Sequence, residues 1–219
     1  MKLTAAALLF CLAVAPAAGA HEAAPLPALD FEPPAAGTYT LHRIMAAPDG
    51  EVLDVDGRAR PLSRFTRGHV SLLGFIYTTC VDPDGCPLAY RVFETLQQAA
   101  AARGMSDKVQ LVTLSFDPAR DTPAVMQRYG SRVSRERGLP PWYFLTTRSV
   151  RALMPLVEGF GQDVRYARDP DGGRQRRELS HVLKVFLIDA AGFVREIYTS
   201  VFLHPRTVLN DIETLLMER

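Results

Sequence analysis

Residues 69–77, His-Val-Ser-Leu-Leu-Gly-Phe-Ile-Tyr, form a nearly unbroken apolar run of strand length. A strand with no polar side has no face to give to water. It belongs inside a sheet whose two faces are both covered. A second such run occupies residues 109–116. Between them, Leu88, Val92, Phe93, Leu96 and Ala99 recur on one face of a helix expected over Pro87 to Ala102, and Pro87 suits its first turn. Strand, helix and strand in this order predict a parallel pair joined by a crossover.

The rest of the chain extends that unit. Thr38 to Met45 and Glu51 to Val55 read as short strands around the Pro48-Asp49-Gly50 turn. Asp121-Thr122-Pro123 opens a helix with a cap residue followed by proline, Trp142 to Leu145 is a short strand, and Ser149 starts a helix containing Pro155 and ending at Gly159 or Gly161. Val182 to Ile188 and Phe193 to Tyr198 read as a hairpin around Asp189-Ala-Ala-Gly192, and Pro205 to Met217 as the closing helix. This is the thioredoxin order: an α/β fold with a central mixed sheet, flanking helices and an N-terminal β extension.

The N-terminal segment stands apart. Lys2, the apolar stretch Leu3 to Val14 and Ala18-Gly19-Ala20 have the layout of a cleaved signal peptide over residues 1–20. An uncleaved anchor is the alternative, but the stretch falls short of the roughly 20 residues of a span. Phe10 before Cys11 does not suit a lipid-attachment site. Residues 21–36, rich in Ala and Pro, read as a linker, and residues 37–219 as one domain. The chain is therefore expected to be exported, to the periplasm or an equivalent compartment, and monomeric. Lys+Arg 25 against Asp+Glu 24 gives no global argument for nucleic acid or an anionic surface.

With Cys11 in the signal segment, the mature chain holds only Cys80 and Cys86. Cys80 ends a buried strand, and Cys86-Pro87 opens a helix. Unpaired N–H groups and the positive dipole end favour thiolate there, so Cys86, at the cap, is expected to benefit most. Asp82 and Asp84 oppose this. A structural disulfide is the alternative, but so small a ring removes little unfolded-state entropy.

Four segments together resemble the Sco/SenC family of copper proteins of cytochrome oxidase assembly. They are Gly74-Phe75-Ile76-Tyr77-Thr78-Thr79-Cys80 with Cys86-Pro87; Ser115 to Pro123, similar to the family's S-x-D-P-x-x-D-T-P; Trp142 with Leu145-Thr146; and Ser180-His181 before Val185 to Asp189. The resemblance runs from about residue 40 to the C terminus. It implies one copper, Cu(I) or Cu(II), held by Cys80, Cys86 and His181, with Asp117 supporting the site by hydrogen bonding or charge. Thiolates suit Cu(I) and an added imidazole suits Cu(II). Taken alone, His181 is a structural histidine ahead of a strand, and Asp117 is equally a turn residue before Pro118.

The implied partners are a copper-site apoprotein, such as an oxidase subunit, and a periplasmic thiol reductant. The chain departs from the family in its spacer: five residues, Val81-Asp82-Pro83-Asp84-Gly85, separate the cysteines where the family has three. Pro83-Asp84-Gly85 must turn Cys80 back over the helix start. A thiol–disulfide oxidoreductase without stable copper is the second reading. A thiol peroxidase is a weak third, because Tyr77 and Leu73 replace the Thr and Pro that peroxiredoxins place before the reactive cysteine. His21, the mature N-terminus after cleavage, reflects processing alone or, as the lesser alternative, adds a chelating group, and the basic segment Arg174 to Glu178 is a solvated hairpin or a patch for an acidic partner.

Overall fold

The computed structural model describes residues 26, 28–133, 137–166 and 179–218. The expected signal segment, His21 and the basic segment 174–178 lie outside these residues. Among the described residues the strands and helices run β1 (Met45–Ala46), β2 (Glu51–Leu53), β3 (Ala59–Pro61), β4 (Val70–Ile76), α1 (Cys86–Ala102), β5 (Val109–Ser115), α2 (Pro123–Gly130), β6 (Trp142–Leu145), α3 (Val150–Gly159), β7 (Val164–Tyr166), β8 (Leu179–His181), β9 (Lys184–Ile188), β10 (Phe193–Thr199) and α4 (Pro205–Met217). A 3₁₀ turn spans Leu62–Phe65.

The main sheet has the order β1-β10-β9-β4-β5-β6. The pairs β4–β5 and β5–β6 are parallel, while β9 lies antiparallel between β4 and β10. This is the mixed, thioredoxin-like sheet the element order predicts. Every residue of β4 and β5 is buried, as their missing polar face requires.

Side chains alternate along each strand, so the sheet divides the interior in two. Leu72, Ile76, Leu111, Val185 and Leu187 meet α1 and α4 through Leu88, Val92, Phe93, Leu96, Val208 and Ile212. Leu73, Phe75, Val112, Leu114 and Phe186 meet α3 through Leu153, Leu156, Val157 and Phe160. Each fully buried side chain of this kind contributes about 1.5–3 kcal/mol of transfer free energy. α3 runs on through Pro155 and is capped by Ser149, whose hydroxyl accepts from the Ala152 N–H at 3.2 Å.

Two strand expectations change. Of 38–45, only Met45 lies in a strand; Ile44 still donates to the Val194 carbonyl at 2.9 Å. The preceding residues instead run along α4, where the Tyr39 hydroxyl donates to Asp211 and the Gly37 N–H donates to Thr214. The second strand stops at Leu53 because the chain turns back at once into β3.

Part of the proline-rich stretch also touches the domain. Leu26 packs against the first core, the Pro34 carbonyl accepts from Asn210 at 2.8 Å, and Glu32 pairs with Arg206. Among the described residues, no helix is long and apolar enough to cross a membrane.

Candidate metal and dithiol site

β4 delivers Tyr77 to Cys80 at the carboxyl end of the central strands, where ligands of open α/β sheets sit. A turn then leads into α1. The Cys80 N–H donates to the Tyr77 carbonyl at 3.1 Å, and the Gly85 N–H donates to the Asp82 carbonyl at 3.0 Å. The Asp82 carboxylate accepts from the Asp84 N–H at 3.1 Å, an Asx turn. The Pro-Asp-Gly turn thus does fold Cys80 back: no disulfide joins the two cysteines, and their side chains are hydrogen-bonded to each other.

The two sulfurs differ in surroundings. Cys86 is 1% exposed and belongs to the first core, whereas Cys80 is half-buried. Cys80 is held down at about 5, first by the hydrogen bond from the Cys86 thiol, then by the backbone N–H groups of Cys86 and Asp82 and by the Tyr77 hydroxyl, all against a burial effect that raises it. Cys86 is pushed far up, because its proton is shared with Cys80 and because it is buried. The expectation that Cys86 gains most is therefore corrected. Gly85 is the cap and Cys86 the first helical residue, and the Cys86 N–H lowers Cys80 as well as Cys86 itself.

The loop is fastened from behind. The Asp121 carboxylate accepts from the Thr78 N–H at 3.0 Å, from the Thr78 hydroxyl and from Ser115 Oγ at 2.5 Å. From the sequence Asp121 is only the residue before a cap, and its place in the S-x-D-P-x-x-D-T-P stretch is the one hint of this role. Asp117, 2% exposed, has its carboxylate 3.3 Å from Arg120, its N–H on Ser115 Oγ, and its carbonyl accepting from Arg120 and Asp121. These contacts belong to the turn.

His181 ends β8, with its backbone in register with Val164 of β7. Three residues later β9 begins, and Val185 pairs with Gly74 of β4. The two strands are antiparallel, so the segment before Lys184 comes from the sheet end toward which β4 runs into Cys80. Leu183 is buried in the same core as Cys86. Among the described residues, no three His, Cys, Asp or Glu side chains converge to hold a metal. The paired sulfurs provide a soft donor set, which suits Cu(I).

A family model described as SCO1/SenC matches residues 48–217. Over 178 residues the chain is 26% identical to the SCO2-like protein RP587 of Rickettsia prowazekii, covering 77% of this chain and 78% of that one. Among solved structures, yeast Sco1 with copper bound superimposes with a TM-score of 0.62 at 19% identity, over 80% of this chain and 91% of that one. BsSco, described as a member of the Sco family of cytochrome c oxidase assembly proteins and as having a disulfide switch, gives 0.60 at 21% identity over 81% and 97%. These structural likenesses carry the fold.

Proposed function

We propose that this chain, which belongs to the SCO1/SenC family, is an exported copper carrier that takes copper as cargo between Cys80 and Cys86 and hands it to an apoprotein such as the copper site of a terminal oxidase. The observation that carries this reading is the pair of mutually hydrogen-bonded cysteine side chains at a strand end and helix start. One sulfur already has thiolate character and the other gives up a single proton on metal binding. His181 completes the donor set for Cu(II) in this reading, supported by the course of its segment toward the cysteine end of the sheet. Copper binding by yeast Sco1 and the oxidase-assembly role of the Sco family support the cargo and its destination.

The test is a copper titration of the reduced, metal-free protein. One equivalent of Cu(I) is expected, lost in Cys80→Ser and in Cys86→Ser. A thiolate-to-Cu(II) absorption band is expected, lost or shifted in His181→Ala. No copper uptake by the reduced protein sinks the reading; an unchanged Cu(II) band in His181→Ala removes the histidine from it.

A second reading has its own observation, the asymmetry between a low Cys80 and a high Cys86, which is the pattern of an attacking and a resolving thiol. In a thiol–disulfide oxidoreductase, the Cys80 thiolate attacks a partner disulfide and expels one partner thiolate. Cys86, losing its proton, attacks Cys80 of the mixed disulfide and expels the other. The partner leaves as a dithiol, the Cys80–Cys86 disulfide remains, and a thiol reductant resets it. A disulfide potential out of reach of exchanging thiols would exclude this reading.

A further inference from the structure

Beside Cys80 lies an open groove of about 420 Å³ between the start of α1 and the end of α2. Tyr90 and Tyr129 line it, their rings edge to face at 5.3 Å, and Arg91, Arg128 and Arg132 line it too. Arg132 is 3.2 Å from Glu94 on α1. Among the described residues, Arg91 and Arg128 have no ion-pair partner, and the Arg91 Nε is buried without a hydrogen bond. Against the three guanidiniums stand the Glu94 carboxylate and the Cys80 thiolate, so the groove keeps a net positive charge. Asp82 and Asp84 are on the cysteine loop and do not line it.

We infer that this groove docks an acidic segment of a partner protein and sets that segment against Cys80. The inference rests on the reading above, in which Cys80 passes copper or electrons to another protein. Carboxylates of the segment pair with Arg91, Arg128 and Arg132, and one of its apolar or aromatic side chains covers Tyr90 and Tyr129. A small anion is held by convergent donors in a pocket that buries most of its surface. Here the charges stand on both walls of an open groove lined by rings, the tyrosine and arginine composition of protein interfaces. Charges on such a rim steer the encounter, and their effect falls with salt.

The experiment measures fluorescence anisotropy of a short labelled peptide containing Glu and Tyr but no Cys, added to reduced, metal-free protein. A peptide with Gln for every Glu is the control. The Glu peptide is expected to bind, more weakly as salt rises, and the Gln peptide to bind poorly. Arg128→Glu, at an exposed position, and Arg91→Gln, which keeps most of the half-buried stem, are together expected to weaken binding about tenfold, the loss of two ion pairs. Equal binding of both peptides, or binding that ignores salt and both variants, overturns the inference. Saturable binding of glutathione sulfonate with none of the Glu peptide assigns the groove to small anions and also overturns it. Neither copper nor cysteine takes part, so this result and the copper titration can fail separately.

Discussion

The Asp121 carboxylate grips Thr78 twice, through its backbone N–H and its hydroxyl, across 43 residues of sequence. Asp121 is 1% exposed and also accepts from Ser115. Thr78 stands two residues before Cys80, so this carboxylate sets where the cysteine loop begins. Asp121→Ala strands the buried Ser115 hydroxyl and the two half-buried donors of Thr78 and is expected to destabilise the protein by about 1–3 kcal/mol. Asp121→Asn, which keeps an acceptor, is expected to cost less. Urea midpoints for the two variants check this; an Ala variant as stable as wild type contradicts it.

The Cys80 environment predicts a pH profile for alkylation. The thiolate is the reacting form. With Cys80 held at about 5, the iodoacetamide rate of the reduced protein rises through that pH and is level above it, whereas an ordinary thiol rises near 8.5. The sign for stability follows: a lowered folded value stabilises above the unfolded value, and that contribution drains away as pH falls toward about 5. Cys86 acts oppositely: its contribution is complete below the unfolded thiol value and is lost only as pH rises through its raised folded value. Tyr77→Phe removes a donor from Cys80 and is expected to move the reactivity midpoint upward. A wild-type midpoint near 8.5 would refute the assignment of the thiolate to Cys80.

Gly130, the last residue of α2, lies against Phe144 of β6. A Cβ there would stand 2.3 Å from Phe144 Cδ2, closer than any real contact. The ring is buried and stacks on Trp142 at 5.0 Å, so it has little room to yield. Gly130→Ala is expected to cost about 1–3 kcal/mol by overpacking, despite its better helix propensity. Thermal unfolding distinguishes the two effects by sign.

Asp211 of α4 accepts from the Tyr198 hydroxyl at 2.6 Å and from the Tyr39 hydroxyl. One carboxylate thereby joins β10, α4 and the segment leading into the domain. Asp211→Ala leaves two partly or fully buried hydroxyls without their acceptor and is expected to cost about 2 kcal/mol or more. It is also expected to free residues 37–41 from α4, read as faster proteolytic cleavage in that segment. Tyr198→Phe, which removes one donor, is expected to have the smaller effect.

Much of this architecture was legible from residues alone. The apolar runs at 69–77 and 109–116 became β4 and β5, the helix ends followed from Thr122, Ser149 and Pro205, and the hairpin turned at Asp189 to Gly192. Strands β3, β7 and β8 were not legible, because each exists through its partner rather than through its own pattern. The β10 irregularity at Arg195 was equally silent. There the register shifts, and the buried guanidinium meets Asp189, Glu218 and the Leu41 carbonyl.

By itself, then, the sequence determined the order of the main elements and placed a dithiol between a strand end and a helix start, since periodicity, proline and caps act over a few neighbouring residues. Only the tertiary structure decided which sulfur carries the charge. Helix position alone favoured Cys86. Burial of Cys86 in the core, and donors brought to Cys80 from Tyr77, Asp82 and Cys86 itself, reversed that order. Those terms depend on what surrounds each sulfur, and the surroundings exist only once strand, loop and helix have packed together.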